Sequence, residues 1–431
     1  MKLVAAVMCA IGSLAGAAAA TAAPGDLDPS FAGTGWVRTL EVRAGATNFM
    51  PRGATGVAVQ PDGRIVTAGE IHDGQSNHYF GAVRYLPDGR LDPSFGAGGV
   101  TAVDLGSFEI PRAVAIQPDG KIVVAGESDC VTARCIAVMR FNPDGSPDVG
   151  FGSGGVVRKE FYLQASWAND VAIQRDGRIV LAGSRLRGGD AQDSELICVV
   201  RLLPDGRLDP TFDSDGTARL NMGYGNDGAQ ALTIQRSRIV VAGHGLEAAG
   251  GSRFGVARLR ADGRLDRSFA RRGFRTVSFG DRRPAGAYAV AATPNGRLLL
   301  AGNVAREGGA PEIAVARLTP GGALDRTFGA RGRVRTAPGP FGGHGLAVAP
   351  VAGGRVVVAG RAFTDASYDP SDWALVRYSA RGGLDRSFGA GGVVRTDFGT
   401  GSDRANALAL TPTAMVVAGE IYASVGVARY R

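Results

Sequence analysis

The sequence offers no helical signature and no familiar catalytic one. Apolar residues nowhere recur at a 3.6-residue spacing, and no G-x-S-x-G, H-E-x-x-H or phosphate-binding glycine loop is present. Aromatic residues are only 7% of the 431, and beyond residue 23 no apolar run approaches the roughly 20 residues of a membrane-spanning helix. No Cys/His spacing suits a structural zinc site. Helix, finger and aromatic-platform signatures of nucleic-acid readers are missing too. These absences remove helical bundles, spanning helices, motif-bearing hydrolases and specific nucleic-acid binders.

What is abundant is glycine, 66 residues without a G-X-Y period. That composition points to many tight turns, and 45% apolar residues suffice for a large core. The opening "MKLVAAVMCAIGSLAGAAAATAAPG" joins a lysine, an apolar run and an A-x-A exit, the pattern of a secretory leader over residues 1–22. An uncleaved anchor is the alternative. The mature chain, 23–431, is then expected in a bacterial periplasm or outside the cell, not membrane-spanning and monomeric. In such a compartment Cys130 and Cys135, five apart, are either a loop-closing disulfide or two free thiols. Cys198 stands where other units carry Gly or Ala, as a small buried thiol.

The dipeptide "AG" closes an apolar run at Gly69, Gly126, Gly183, Gly243, Gly302, Gly360 and Gly419, spaced by 57 to 60 residues. Seven units follow, each with two apolar runs joined by a tight turn (Asp-Gly in "AVAIQPDGKIVVAG"), a variable loop, a third run, a second turn leading through a segment like "RLDPSFG", and a fourth run. The expected fold is all-β: a seven-bladed β-propeller of four-stranded blades, which protects its sheet edges by radial repetition. Six arginines each precede an aspartate by eight residues: Arg84/Asp92, Arg140/Asp148, Arg201/Asp209, Arg258/Asp266, Arg317/Asp325 and Arg377/Asp385. Arg429 has no aspartate after it, and Asp28 no arginine before it. If these two pair, the N-terminal strand near residues 35–40 completes the last blade and closes the ring.

The motifs "PDGRLDPSFG" and "AVAIQPDGKIVVAG" resemble those of the delta-60 repeat family, repeats of often exported bacterial proteins. The resemblance implies a propeller and no particular activity. Departures at "PDVGF", "IQRSRIV" and "PTAMVV" touch single turns.

The regular Asp, Phe and Gly positions read as repeated structural needs, so function is sought where units differ. The variable connections share one face of the ring and hold His72, His78, His244 and His344. Two rings of residues are expected at the channel mouth. One is Thr55, Arg112, Asn169 with Asp170, Gln230, Tyr288, His344 and Asn406. The other follows each "AG": Glu70, Glu127, Ser184, His244, Asn303, Arg361 and Glu420. Glu420, Glu70 and Glu127 would make an acidic sector able to take calcium. "FDSDGT" at 212–217 is only a fragment of a calcium loop. Three functions are therefore expected: a non-enzymatic scaffold binding a protein, polysaccharide or small polar ligand; a metal-dependent hydrolase or lyase at the mouth; or a polyanion binder. The last rests on ten arginines between Arg253 and Arg283, among them Arg271, Arg272 and Arg275, against three aspartates.

Overall fold

The computed structural model describes residues 23–44, 47–74, 77–106, 108–161, 163–186, 195–222, 227–246, 251–280, 284–306, 309–368, 370–399 and 401–431. The leader read at 1–22 lies outside them. Seven antiparallel sheets follow one another around an axis, and one short 3-10 turn, Ala352–Gly354, is the only helical element among the described residues. In blade two the strands run, from the axis outward, A (Glu109–Ile116), B (Ile122–Asp129), C (Arg134–Phe141) and D (Val156–Lys159). The other blades repeat this order. Strands B and C are nearly continuous apolar runs because neighbouring blades cover both of their faces. Seven hydrophobic clusters result, each drawn from two adjacent blades, the seventh joining blade seven to blade one.

Blade seven combines both ends of the chain. Asp403–Leu410, Met415–Ile421 and Ser424–Tyr430 are its strands A to C, and Trp36–Thr39 pairs with the last as strand D, Trp36 opposite Ala428. Arg429 Nε donates to Asp28 at 2.8 Å, within the 2.7–2.9 Å of the six internal pairs. The expected closure is therefore present. The tight turn that joins strands C and D elsewhere, Pro-Asp-Gly in blades one to three, is cut open here, and Gly25 N to Arg431 O and Arg431 N to Asp26 O replace its main-chain bonds.

Each arginine links several neighbours. Its guanidinium lies over the phenylalanine of its own motif, from Arg84 on Phe95 to Arg429 on Phe31, and six of the seven also donate to a main-chain carbonyl in the next blade's C–D turn. That phenylalanine packs under the glycine of the next turn, where both a positive φ and the missing Cβ are required: Gly145 on Phe95, and at the seam Gly25 on Phe388. Each aspartate also meets a second cation, such as Arg64, Lys121 or Arg178, from the A–B turn. In blade seven Arg431 takes that place.

Blade one has five strands rather than four, because Val42–Ala44 folds back on the start of a long strand A, Thr47–Val59. Cys130 and Cys135 are bonded, across the B–C hairpin of blade two, and Cys198 is free and buried. The altered turns do not disturb the blades. Asp148 and Phe151 of "PDVGF" keep their arginine, and Arg236 of "IQRSRIV" turns the chain at φ 60°.

Candidate functional site

Strand A of every blade carries an extra residue at the same point of its pairing with strand B: Thr55, Arg112, Asn169, Gln230, Tyr288, Leu346 and Asn406, with Gly53 a second one in blade one. Such a bulge re-aims the extra side chain. Here it aims at the axis, where the seven residues line a cavity of about 230 Å³. The "AG" glycine marks the same place, since a Cβ on Gly126 would stand 2.0 Å from the Ile110 carbonyl oxygen just before the bulge. In blade six the bulge follows Gly345, so Leu346 and not His344 faces the axis. His344 sits two residues earlier, opposite Arg361.

Half of this ring binds the protein itself. Thr55 Oγ1 donates to Pro111 O at 3.0 Å, Asn169 Nδ2 to Ala229 O at 2.7 Å and Asn406 Nδ2 to Ala54 O at 2.9 Å, each reaching the next blade. Asp170 accepts Leu232 N from the next blade at 2.7 Å and Val171 N from its own at 2.8 Å. Burial nevertheless pushes its carboxyl up to about 6, with those two N–H groups acting in the opposite direction. The polar ring is thus partly an inter-blade seam.

At the mouth, the expected acidic sector does not form, because each glutamate is engaged in its own blade. Glu127 is buried between Arg112, which it meets directly, and Arg134 at 3.8 Å, and Glu420 faces Arg404 at 3.5 Å. Glu70 faces two imidazoles, His72 Nε2 at 3.0 Å and His78 Nδ1 at 2.6 Å. His244 lies 3.9 Å from Glu195. Blade-internal pairing wins because side chains on the same face of adjacent strands lie close together, about 5 Å where they are directly opposite as Arg404 and Glu420 are.

Blades four to six form a different sector. Tyr288 stacks on His344 at 6.5 Å, His344 meets the Phe363 ring edge at 5.1 Å and Arg361 Nη2 at 3.2 Å, and Phe363 contacts Tyr368 at 5.4 Å. Burial, with the charges of Arg361 and Arg404, lowers His344 to about 4, so its ring is neutral at physiological pH. Tyr288 and Tyr368 are 37% and 42% exposed. Beside Tyr288 a second cavity of about 230 Å³ is lined by His244, Ser252, Gly286 and Asn303. Of the residues expected at the mouth, Tyr288, His344 and Arg361 are brought together here, with His244 and Asn303 alongside. Arg112, Gln230 and Asp170 stay in the throat.

Three larger hollows, of about 700, 600 and 510 Å³, lie away from this chemistry, on the outer strands and the constant-turn face of blades four to six. Their charged lining is arginine alone. Arg271 and Arg272 are exposed on the constant-turn face, opposite the variable loops, while Arg275 lies on the outer strand Phe274–Val277.

Among known proteins, the family model described as "domain of unknown function (DUF5122) beta-propeller" matches residues 60–95, 117–151, 174–212, 237–269 and 293–328. This supports a β-propeller repeat family without supporting the delta-60 name. No curated protein matches the sequence. Similar solved structures include a protein of unknown function from Dyadobacter fermentans (11% identity, 92% of this chain and 99% of that one, TM-score 0.44). Others are Sqt1 from Chaetomium thermophilum (12%, 88% and 95%, 0.45) and the polysaccharide lyase Uly1 (9%, 88% and 90%, 0.46).

Proposed function

We propose that this propeller is an exported binding protein that takes a hydroxyl-rich polar ligand, such as a stretch of polysaccharide, at the mouth sector of blades four to six. The observation that carries this reading is Tyr288, a half-exposed ring shared by the axial and lateral cavities, with His344 stacked on it and Arg361 behind. Each cavity is smaller than the roughly 300–1,000 Å³ of common ligand pockets, but a ligand lying across the ring occupies both. An aromatic face with neighbouring amide, imidazole and guanidinium donors suits the alternating C–H and O–H surface of a sugar. The Cys130–Cys135 disulfide accords with an oxidising compartment, and no helix among the described residues is long and apolar enough to cross a membrane. The hydrolase or lyase reading is weaker, because Glu127 and Glu420, which it required, are each held by arginine. Calorimetric titration with acidic and neutral oligosaccharides tests the proposal. Binding should fall at least tenfold in Tyr288→Ala, and binding that survives this change unaltered would sink it.

A second reading, polyanion binding, is favoured by the opposite face. In blades four to six Arg267, Arg326 and Arg386 stand exposed where Pro29, Pro93 and Pro210 occupy the same motif position elsewhere, and Asp266, Asp325 and Asp385 beside them are already paired. Retention on heparin at about 0.1 M salt, lost on replacing the three arginines by proline, is its expected outcome. Elution unchanged by the triple replacement removes this reading.

A further inference from the structure

Blade one departs most from the repeat, and its B–C hairpin gathers an unusual set of donors. Alternation along Ile65–His72 puts Glu70 and His72 on one face, and the register sets His78, which opens His78–Tyr85, directly opposite His72. Among the described residues these three form the one set of three or more His, Cys, Asp or Glu side chains whose ligand atoms all fall within 4.8 Å of one another. His72 Nε2 and His78 Nδ1 both turn to the same Glu70 oxygen, yet neither makes a hydrogen bond of proper geometry. Their rings lie 4.2 Å apart, and the three side chains remain 12–30% exposed, so a solute can reach them. From blade two, Phe108 packs on His78 at 5.7 Å, and the adjacent Glu109 is fully buried with both carboxyl oxygens lacking a hydrogen-bond partner. Arg52, across the pair from Glu70, is the nearby opposing charge.

We infer that Glu70, His72 and His78 form a binding site for a divalent transition-metal ion, zinc in particular. Two imidazole nitrogens and one carboxylate are a zinc donor set, whereas calcium calls for oxygen ligands throughout. A tetrahedral ion with bonds of about 2.0–2.1 Å spaces its ligand atoms roughly 3.3 Å apart, so Glu70 would withdraw from the two imidazole nitrogens by several tenths of an ångström. Three protein ligands leave a fourth position to water on the exposed side. Phe49, on the hairpin that among the described residues only blade one carries, packs edge-on against Tyr79 at 5.5 Å and braces the strand from which His78 projects.

The test uses the full chain, stripped with a chelator and titrated with Zn²⁺ against a chromophoric chelator, then with Co²⁺ followed by its visible absorption. One equivalent is expected, with a tetrahedral Co²⁺ spectrum. Affinity should fall at least tenfold in His78→Ala and in Glu70→Gln, and stay unchanged in His244→Ala. Because a histidine variant can lose shape, circular dichroism accompanies each one, and the near-isosteric Glu70→Gln decides if His78→Ala misfolds. The inference is overturned if the stripped protein takes no Zn²⁺ at micromolar concentration, if calcium binds in its place, or if Glu70→Gln keeps full affinity. Oligosaccharide binding at Tyr288 is read separately and stands or falls on its own.

Discussion

Replacing Asp28 by Asn should open the ring at its one covalent gap. Burial raises the Asp28 carboxyl, but hydrogen bonds from Arg431 and Ser30 and the charge of Arg429 more than offset this and hold it at about 2, against an ordinary 3.8. At about 1.36 kcal/mol per pKa unit that difference is worth roughly 2.5 kcal/mol, and with its side chain only 11% exposed little of it is lost to solvent screening. The carboxyl is lowered, so this stability is complete above pH 3.8 and disappears as pH falls toward 2. Asp325 is the control: it too sits at about 2, but its arginine is eight residues away on the same stretch of chain. Urea unfolding at pH 7 should show a loss of about 2–3 kcal/mol in both Asp28→Asn and Asp325→Asn. Only the first should free strand D of blade seven, read as early proteolytic cleavage before Trp36 and as altered fluorescence of Trp36, which packs on Phe398 at 4.8 Å. A loss below about 0.5 kcal/mol in Asp28→Asn, or equal protection of the N-terminal strand in the two variants, would refute the closure argument.

Asp170 should act in the opposite sense to Asp28. Its carboxyl is raised to about 6, so the folded chain holds the proton more tightly, and that contribution is present below pH 3.8 and lost as pH rises through 6. Asp170→Asn should therefore gain on the wild type by roughly 3 kcal/mol between pH 4 and 7, and parallel urea-midpoint profiles would contradict this. Gly126→Ala would put its Cβ 2.0 Å from the Ile110 carbonyl oxygen, whereas Gly286→Ala meets nothing nearer than 3.9 Å. The first should cost about 3 kcal/mol or prevent folding, the second under about 1 kcal/mol, as measured by thermal unfolding. Leu346→Asn should gain about 1 kcal/mol, by giving blade six the inter-blade bond that Asn169 and Asn406 already make. No gain would mean that the ring bonds are not seams.

The architecture was legible because it repeats. Seven copies make each structural need visible as a column, and the orphans Asp28 and Arg429 expose the seam by breaking that column at both ends of the chain. What remained hidden were contacts between columns. The second cation on each aspartate comes from a different turn, as Arg178 does for Asp209, at a separation of 31 residues that no local motif announces. The extra hairpin of blade one was hidden for the opposite reason: it occurs once, in a stretch that reads as a loop.

The candidate site was legible as a face but not as a set of partners. Polarity alone points to His344 as the axial residue of blade six, since it is the polar side chain just before the apolar run of strand A. The bulge is instead fixed by the "AG" glycine, and counting from Gly360 puts Leu346 there. Likewise, three glutamates at equivalent positions suggested one shared acidic site, yet equivalent positions in a ring belong to different sheets. A carboxylate finds its nearest cation one strand away, as Glu127 finds Arg112, well before it reaches a neighbouring blade. Glu70 is the exception that carries chemistry. Its neighbours on the hairpin are imidazoles rather than guanidinium groups, and an imidazole, unlike a guanidinium, can give a lone pair to a metal. Repetition thus builds seven equal frames, and a blade becomes a site where the partner of its mouth residue is something other than arginine.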